Sequence, residues 1–335
     1  MKAMSGHVAV VGATGAVGQE FLRVLEQRNF PFSKITFLAS SRSAGKPITF
    51  MGKTYTVQEL KEDSFKGVDL ALFSAGGSIS RKFAPIAAQA GTVVVDNSSA
   101  FRMDPNVPLV VPEVNPEDVK WHKGIIANPN CSTIIMVVPV WPLHKVNPIE
   151  RLVVSTYQAA SGAGYQAMVE LQEQTREVLA GKAVTPKVLP HQIAFNLFSH
   201  NSKIGDNGYN EEEMKMVKET RKMFHCDAIQ ITATCVRVPI LRAHSESINI
   251  RFSKPITEDQ VRDIIRKAPG VKLVDDRAKN YFPMPLESTD GDDVLVGRIR
   301  RDISQPDGRG IEMFISGDQL RKGAALNAVQ IAELL

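Results

Sequence analysis

The first part of the chain alternates short, almost uninterrupted apolar runs with stretches of helical periodicity. The apolar runs predict strands at residues 7–11, 35–39, 68–73, 92–95 and 109–111. Helical spacing follows two of these runs, at residues 20–25 and 81–90. Strands that are apolar on both faces and alternate with helices indicate a buried parallel sheet.

From about residue 131 the strand candidates become more polar and alternate along their length. Strands are predicted at residues 151–158, 230–238, 247–252, 294–300 and 311–316. Helices are predicted at residues 166–180, 211–224 and 258–267. Such alternation is typical of an antiparallel sheet with one wetter face, whose other face the helices would cover. This pattern predicts an α+β second domain.

The last segment has apolar residues at a spacing that puts them on one helical face: Leu320, Ala324, Ala328, Ile331 and Leu335. We expect this C-terminal helix, residues 319–335, to complete a first domain of residues 1–130, leaving residues 131–318 as the second. Three segments rich in Gly, Pro, Asn and Asp predict loops long enough to shape a site or a subunit contact: residues 181–189, 201–210 and 280–293.

Composition narrows the class of protein. With 335 residues and 43% hydrophobic content, the chain can bury two cores. Its net charge of +4 comes without a basic run, which favours a small anionic substrate over nucleic acid. No apolar run reaches the roughly 18 residues of a membrane span, and the start has no signal-peptide core, so we expect a cytoplasmic protein. Three cysteines without a C-x-x-C pair argue against disulfides and a metal site.

Three glycines, Gly12, Gly15 and Gly18, separate the first predicted strand from the first predicted helix. A tight turn at this point lets backbone N–H groups approach a pyrophosphate at the positive end of the helix. The spacing G-x-x-G-x-x-G is weak alone, and a simple glycine turn is the alternative. Its position directly after the strand predicts a Rossmann-like dinucleotide-binding domain of the α/β class.

The end of the second predicted strand indicates which nicotinamide cofactor is bound. An acid about 20 residues after the glycines would select NAD, and the sequence here has Ser40, Arg42 and Ser43 instead. A guanidinium can fork onto the 2′-phosphate of NADP while the hydroxyls donate to it. The pattern therefore predicts NADP, the alternative being a solvated polar loop.

Cys131 follows Asn-Pro-Asn and precedes the apolar run at residues 134–138. This places the thiol at or just inside a helix start, where the helix dipole favours the thiolate and a nucleophilic role. Cys226 and Cys235 have no such turn beside them, and we interpret both as small packing residues.

Five motifs in order along almost the whole chain resemble the aspartate-semialdehyde dehydrogenase family. They are Gly12-Ala-Thr-Gly-Ala-Val-Gly18, Asn128-Pro-Asn-Cys-Ser-Thr133, Tyr157-Gln-Ala-Ala-Ser-Gly-Ala-Gly164, Arg237-Val-Pro-Ile-Leu-Arg-Ala-His244 and Gly323-Ala-Ala-Leu-Asn-Ala-Val329. The resemblance implies that Cys131 is the nucleophile, that Gln158 orients the substrate, that Arg237 binds its carboxylate and that His244 acts as acid and base.

The resemblance also implies substrate ligands outside this quartet. They are Arg102, Asn130 and Lys215 for phosphate and Glu212 for the substrate amino group. From the residues alone, Asn210 and Glu213 predict a capping box that starts a helix, and Glu212 and Lys215 are then neighbours at spacing i, i+3. Such a pair is more often a solvated ion pair, so that alternative stays open.

Further cofactor contacts follow from the same resemblance. They are Thr14, Ala16, Val17, Ala75, Gly76, Gly162 and Asn327. The implied reaction is reversible: the Cys131 thiolate displaces phosphate from aspartyl phosphate, and the resulting thioester is reduced by NADPH to the semialdehyde. This reaction serves lysine, threonine and methionine biosynthesis, and the family suggests a homodimer or a tetramer of dimers.

Two alternatives remain. An N-acetyl-glutamyl-phosphate reductase shares the fold and chemistry, but typically has glycine where this chain has Asn130. A non-catalytic dinucleotide-binding sensor would not need Cys131, Gln158, Arg237 and His244 together.

Overall fold

The computed structural model describes residues 6–335 of the chain. The chain divides into two compact units: unit 1 comprises Met1–Asn130 and Ala324–Leu335, and unit 2 comprises Cys131–Gly323. The expectation about a signal-peptide core falls partly on residues 1–5, which lie outside the described residues.

Unit 1 is built on a six-stranded sheet in which all neighbouring strands are parallel. The strands of this sheet are β1 (His7–Val11), β2 (Lys34–Ala39), β5 (Gln58–Glu59), β6 (Leu70–Phe73), β7 (Val93–Asp96) and β8 (Ile125–Ala127). The strands β3 (Pro47–Phe50) and β4 (Lys53–Thr56) form a separate hairpin. The order is β5-β2-β1-β6-β7-β8. The helices α1 (Ala16–Gln27) and α2 (Gly77–Gln89) each follow a strand, as a parallel sheet requires.

The strand predicted at residues 109–111 is wrong. Leu109 makes an isolated bridge to Ala127, and the strand beside β7 is the unpredicted β8. Pro108 and Pro112 flank the short apolar run, and proline cannot donate a ladder hydrogen bond. The run is nevertheless buried, which is why its hydrophobicity resembles that of a strand.

Unit 2 contains a seven-stranded sheet in the order β10-β11-β9-β12-β15-β14-β13. Its strands are β9 (Ile149–Gln158), β10 (Phe198–Ser199), β11 (Gln230–Arg237), β12 (His244–Phe252), β13 (Val271–Leu273), β14 (Val294–Arg301) and β15 (Gly310–Gly317). Its helices are α3 (Cys131–Val146), α4 (Tyr165–Leu179), α5 (Glu211–Phe224), α6 (Glu258–Lys267) and the short α7 (Pro285–Ser288).

The predicted antiparallel arrangement of this second sheet is only partly right, because the sheet is mixed. β9 and β11 are parallel, as are β13 and β14, whereas β12 is antiparallel to both β9 and β15. The reason lies in the connection: between β9 and β11 the chain passes through α4 and α5, and such crossovers join parallel strands. Polar alternation along a strand indicates that one face of the sheet is more exposed to solvent, but it does not reveal the direction of the strand.

Helix α3 lies in the core of unit 2. Residues 132–140 of this helix are all buried, so the helix is apolar on every side rather than amphipathic. It packs against α5, α6 and the strands β9, β12, β14 and β15. The first residue of α3 is therefore held at a fixed position by the packing of the rest of the helix.

The C-terminal segment forms a shorter helix than predicted. A π-helical turn, Arg321–Ala325, precedes α8 (Leu326–Ala332). Val329 and Ile331 join the core of unit 1 with Phe21 and Leu25 of α1. The expected one-sided apolar stripe does not describe this segment, since most of its residues are buried regardless of face.

Candidate active site

Four elements of unit 2 bring the predicted catalytic residues together. Strand β9 ends at Gln158, β11 ends at Arg237, β12 begins at His244 and α3 begins at Cys131. The parallel register pairs Arg237 directly with Gln158, while β12 runs antiparallel alongside β9. Side chains far apart in sequence therefore meet at one end of the sheet, as expected for a site at strand ends.

Cys131 is the first residue of α3, and its sulfur lies 3.6 Å from Nε2 of His244. The thiol is partly exposed, and the first turn of the helix has no acidic residue. The positive end of a helix favours a thiolate over a thiol. The predicted helix start at Cys131 is confirmed.

Gly323 leaves room for this cysteine. A Cβ atom at position 323 would lie 3.1 Å from Cβ of Cys131 and 3.3 Å from Cβ of Gln319. Gln319 in turn accepts a hydrogen bond from the backbone N–H of Ala243 at 2.8 Å and donates to the hydroxyl of Ser161. Gln319, together with Gly323 of the π-helical turn, thus packs around the residues near the thiol, a role that the sequence did not indicate.

His244 is completely buried, and its Nδ1 accepts a hydrogen bond from the backbone N–H of Ala159 at 3.0 Å. Burial, with the nearby positive charge of Arg237 as the next cause, lowers the pKa of His244 to about 3. The imidazole is therefore neutral at physiological pH.

The guanidinium of Arg237 is 2% exposed and held at two points. Nη1 donates to the carbonyl of Ala159 at 2.8 Å, and Nη2 donates to Nε2 of His200 at 3.0 Å. Among residues 6–335, Nε of Arg237 has no hydrogen-bond partner. A guanidinium that is anchored at two points is suited to an anionic ligand, most directly a carboxylate.

His200 is a site residue that the sequence did not reveal, because a histidine next to the two-residue strand β10 carries no motif. Burial is the main reason that its pKa falls to about 4; the charges of Arg237 and Lys215 lower it further, while Glu212 opposes them. The ring is thus a neutral acceptor for Arg237. It fixes the plane of the guanidinium without competing for its charge.

Gln158 is 1% exposed and connects the thiol helix to α5. Its amide nitrogen lies 2.6 Å from the hydroxyl of Ser132 and 3.2 Å from Oε1 of Glu212. Glu212, 4% exposed, also accepts from Lys215 at 3.0 Å. The Glu212–Lys215 pair is therefore no solvated surface ion pair: its carboxylate lies beneath Gln158, and the lysine side chain is 29% exposed.

The local structure that positions Glu212 is the predicted capping box. The side chain of Asn210 accepts from the backbone N–H of Glu213, and the Glu213 carboxylate accepts from the backbone N–H of Asn210, both at 2.9 Å. The second carboxylate oxygen of Glu213 accepts from the backbone N–H of Cys235 at 3.0 Å. The start of α5 is thereby anchored to β11.

Gly162 is an exposed residue of the 3-10 turn Ala160–Ala163, whose first two residues are buried, and it lies directly over two of these side chains. A Cβ atom there would lie 3.0 Å from Nη1 of Arg237, 3.0 Å from Cε1 of His244 and 3.1 Å from its Nε2. Glycine at this position therefore lets the backbone approach the imidazole and the guanidinium.

The other two cysteines lie away from this arrangement. Cys235 is fully buried in β11, and burial strongly raises the pKa of its thiol, which makes it a packing residue as predicted. Cys226 follows the left-handed residue His225 at the end of α5 and is only partly buried. No disulfide joins cysteines within residues 6–335.

In unit 1, the residues before Cys131 are held by a network of buried side chains. Arg102, 7% exposed, donates from Nε to the carbonyl of Asn128 at 2.9 Å and from Nη2 to the carbonyl of Asn97 at 3.0 Å. Asn327, on α8, donates to the Asn128 side chain at 2.7 Å and is fully buried. Asn130 is 6% exposed. These contacts fix the loop that leads to the thiol.

The glycine turn joins β1 to α1, as predicted. Gly12 has a φ of +83°, and a Cβ there would lie 2.2 Å from the carbonyl oxygen of Ser74; a Cβ on Gly18 would lie 2.2 Å from the carbonyl oxygen of Gly12. Within residues 6–335, no side chain caps the N-terminus of α1, and the first turn of this helix has no acid. The turn is therefore compact, and the first N–H groups of α1 are open to an anion such as a pyrophosphate.

The predicted 2′-phosphate cluster lies beside that turn. The hydroxyl of Thr14 is 3.4 Å from the hydroxyl of Ser43, and Ser40 and Arg42 are exposed in the turn after β2. The predicted contacts Ala75 and Gly76 follow β6, the neighbour of β1, at the same carboxyl edge of the sheet. These residues fit NADP, because a dinucleotide binds along this edge.

Within the described part of the chain, no helix is long and apolar enough to cross a membrane. Residues 6–335 also contain no cluster of three or more His, Cys, Asp or Glu that could hold a metal ion.

Two family models identify the class of protein to which the chain belongs. Residues 7–122 match the family model described as "Semialdehyde dehydrogenase, NAD binding domain", and residues 140–322 match "Semialdehyde dehydrogenase, dimerisation domain". Together they cover most of the chain, so this is an oxidoreductase of the semialdehyde dehydrogenase class. The predicted fold class, a Rossmann-like domain followed by an α+β domain, is confirmed.

Individual relatives narrow the class. The chain is 59% identical to an aspartate-semialdehyde dehydrogenase from Synechocystis sp., over 98% of this chain and 97% of the relative. A crystal structure of aspartate semialdehyde dehydrogenase II from Vibrio cholerae, complexed with ASA, is 47% identical, covers 99% of this chain and 98% of its own, and has a TM-score of 0.96. The chain belongs to the aspartate-semialdehyde dehydrogenase family, as its motifs predicted.

A more distant family member has been crystallised with a nicotinamide cofactor. The aspartate semialdehyde dehydrogenase of Candida albicans, crystallised with NADP, is 27% identical, with a TM-score of 0.77 and 98% of both chains covered. The predicted cofactor NADP is supported by this relative and by the NAD-binding family model over residues 7–122.

Proposed function

We propose that this protein reduces L-aspartyl 4-phosphate to L-aspartate 4-semialdehyde and phosphate, reversibly and with NADPH, through a thioester on Cys131. The observation that carries the proposal is the thiol at the start of α3, with its sulfur 3.6 Å from Nε2 of a buried histidine. The relatives named aspartate-semialdehyde dehydrogenase support the substrate. The reaction belongs to lysine, threonine and methionine biosynthesis.

In this proposal each side chain of the unit 2 cluster has one task. Cys131 attacks the acyl carbon, and His244 acts as acid and base. Arg237 binds the α-carboxylate, and Glu212 binds the α-ammonium group. Gln158, which touches Ser132 and Glu212, orients the substrate between them.

Phosphate binding is assigned to cationic and amide side chains. We propose Arg102, Asn130 and Lys215 as its ligands. Lys215 keeps part of its surface exposed while paired with Glu212 on one side, so its ammonium can also bind an anion. Arg102 is more constrained, since two of its nitrogens already donate to backbone carbonyls.

NADP would be bound by unit 1 and would supply the hydride. We propose that the glycine turn, including Thr14, Ala16 and Val17, holds the pyrophosphate and that Ser40, Arg42 and Ser43 hold the 2′-phosphate. Ala75, Gly76 and Gly162 would face the nicotinamide half. Asn327 would support the cofactor site indirectly, because its side chain is buried and donates a hydrogen bond to the side chain of Asn128.

Assembly and location follow from the same proposal. Unit 2 is assigned as the catalytic and dimerisation domain of a homodimer or a tetramer of dimers, in line with its family model. Because the nucleophile must be a reduced thiol, we assign the enzyme to the cytoplasm, where thiols stay reduced.

Turnover tests the proposal against its two alternatives. The purified protein is given NADP, with and without phosphate, and either aspartate semialdehyde or N-acetyl-glutamate semialdehyde, while NADPH absorbance is followed. We expect phosphate-dependent reduction with aspartate semialdehyde. Faster turnover of the N-acetylated aldehyde would assign the other reductase, and binding of NADP without turnover of either would assign a sensor.

A further inference from the structure

A cleft at the β13 end of the unit 2 sheet lies among residues that have no part in the proposed reaction. It has a volume of about 950 Å³ and is lined by residues of α6, β13, β14, α7 and the turn that follows β13. β13 is the last strand in the sheet order, so the cleft lies at an edge of the domain. Its volume is that of a small-molecule site.

One part of the cleft is apolar. Leu273, Val274 and Leu295 line it, and Val274 and Leu295 are buried while Leu273 is half-buried. Tyr281 lines the cleft as well, and its hydroxyl donates to Oε1 of Glu287 at 2.5 Å. These side chains provide a surface on which the aliphatic stem of a ligand can pack.

Asp275 is the buried carboxylate of the cleft. Its side chain is 1% exposed, and Oδ2 accepts from Nε of Arg262 at 2.8 Å. Oδ1 has no hydrogen-bond partner among residues 6–335. The other nitrogens of Arg262 donate elsewhere, to Asp259 at 2.9 Å and to the carbonyl of Ile299 at 2.8 Å. A buried acceptor without a donor is costly, so an N–H group of a ligand would be stabilised at Oδ1.

Two cations of the cleft make no ion pair within the described part of the chain. They are Lys272 and Arg277, and both are exposed. Arg277 donates from Nη2 to the carbonyl of Ile299 at 3.0 Å, which leaves its other N–H groups for a ligand. An ammonium and a guanidinium in one cleft are suited to a carboxylate.

Two further carboxylates lie around Tyr281. Asp276 and Tyr281 exchange backbone hydrogen bonds at 3.0 and 2.9 Å, and Glu287 accepts from the Tyr281 hydroxyl. With Asp259 and Asp275, the cleft has four carboxylates against three cations, a net charge of −1. Residues 6–335 contain no cluster of acidic, His or Cys side chains that could hold a metal ion. The complement of this cleft is therefore an organic ligand with a net charge of +1.

We infer that the cleft binds a free basic amino acid, with one carboxylate and two ammonium groups on an aliphatic stem. The ligand carboxylate is bound by Lys272 and Arg277. One ammonium group donates to Oδ1 of Asp275, and the other faces Asp276 and Glu287. The stem packs on the apolar part of the cleft. This inference goes beyond the proposed function, and binding can be measured without turnover, so the two can fail separately.

A series of ligands tests the inference on the wild-type protein. Full-length protein is titrated calorimetrically at low ionic strength with L-lysine, with L-norleucine, which lacks the second amine, and with cadaverine, which lacks the carboxylate. We expect saturable binding of L-lysine and binding of each analogue that is about fivefold weaker or more, because each analogue loses one charged contact. Absence of saturable L-lysine binding, or equal affinity for either analogue, would overturn the inference.

Variants locate the bound ligand. Asp275→Asn, checked for normal thermal unfolding, should weaken L-lysine binding by about tenfold or more, because the removed charge is buried. Lys272→Met, at an exposed position that should not affect folding, should weaken it by about twofold to fivefold. The matched control is Lys182→Met, an exposed lysine of unit 2 outside the cleft, which should bind L-lysine like the wild type.

The candidate active site could itself hold an amino acid, and Arg237→Leu distinguishes the two locations. This variant lacks the proposed carboxylate ligand of the substrate but keeps the cleft intact, so we expect its affinity for L-lysine to equal that of the wild type. Weaker binding in Arg237→Leu, together with unchanged affinity in Lys272→Met, would place the amino acid in the active site and overturn the inference.

Discussion

The buried carboxyl group of Glu246 offers a test of how the core of unit 2 depends on pH. Glu246 lies two residues after His244 on β12 and therefore on the same face of the sheet. Its register partners are Thr156 on β9 and Ile315 on β15. The residue is 0% exposed, and neither carboxylate oxygen has a hydrogen-bond partner among residues 6–335.

Burial without a partner disfavours the ionised form and raises the pKa of Glu246 well above 4.5. The folded protein then keeps a proton that the unfolded chain releases above pH 4.5, so this group makes stability fall as pH rises through that window. The loss is about 1.4 kcal/mol for each pH unit over which the buried carboxyl stays protonated.

Replacement of Glu246 by Gln keeps the shape and removes the titration. We expect the unfolding free energy of Glu246→Gln, relative to wild type, to improve as pH rises from 5 to 7, by about 1.4 kcal/mol for each pH unit over which the buried carboxyl of the wild type stays protonated. Contributions from His200 and His244 are common to both proteins and cancel. Urea unfolding at fixed protein concentration measures the difference, with the exposed Glu26→Gln as a matched control whose difference should not change with pH.

A difference that stays constant from pH 5 to pH 7, or that moves in favour of the wild type, would refute this reasoning. It would mean that Glu246 is ionised in the folded state and has found a partner.

Four further variants test the assigned roles. Arg42→Ala should weaken NADP binding by about 1.5–3 kcal/mol while NAD binding barely changes, and calorimetric titration of both cofactors checks this; equal weakening of both would remove Arg42 from the 2′-phosphate. Lys215→Met should raise the apparent phosphate constant, whereas Arg237→Leu should cripple use of the carboxylate-bearing aldehyde; steady-state kinetics with each substrate varied separates them, and an unchanged phosphate constant would exclude Lys215. Gly162→Ala should lower kcat by about tenfold or more with normal thermal stability, because its Cβ would lie 3.0 Å from both Arg237 and His244; normal kcat would show that the turn can move away.

Local patterns predicted the elements of this fold well where they extended over several residues. Strand β1 and helices α5 and α6 have the predicted bounds, and the capping box at Asn210 forms as expected. Strand direction in unit 2 was missed because it depends on what the chain does between strands, not on the strands themselves. Very short elements, such as β8 and β10, are stabilised by neighbours distant in sequence and have no periodicity of their own.

The residues of the candidate site likewise fall into those that the sequence indicates and those that it does not. Cys131 could be located from its turn and helix signals, whereas Arg237 and His244 were found through family motifs. His200 and the backbone N–H of Ala159 could not be found, since a neutral acceptor and a main-chain donor have no side-chain signature. The Glu212–Lys215 pair has the sequence spacing of an ordinary surface ion pair. Only the tertiary structure shows that Glu212 is buried beneath Gln158.

The thioester on Cys131 is the central claim, and mass spectrometry of the acyl-enzyme tests it most directly. Wild-type protein is mixed with aspartyl phosphate without NADPH, digested, and its cysteine peptides are compared with those of Cys131→Ser and Cys235→Ala. We predict an aspartyl adduct on the peptide carrying Cys131, released by hydroxylamine, present in Cys235→Ala and absent in Cys131→Ser, which should also lose activity by at least about three orders of magnitude. An adduct on Cys226 or Cys235, or normal turnover by Cys131→Ser, would contradict the account.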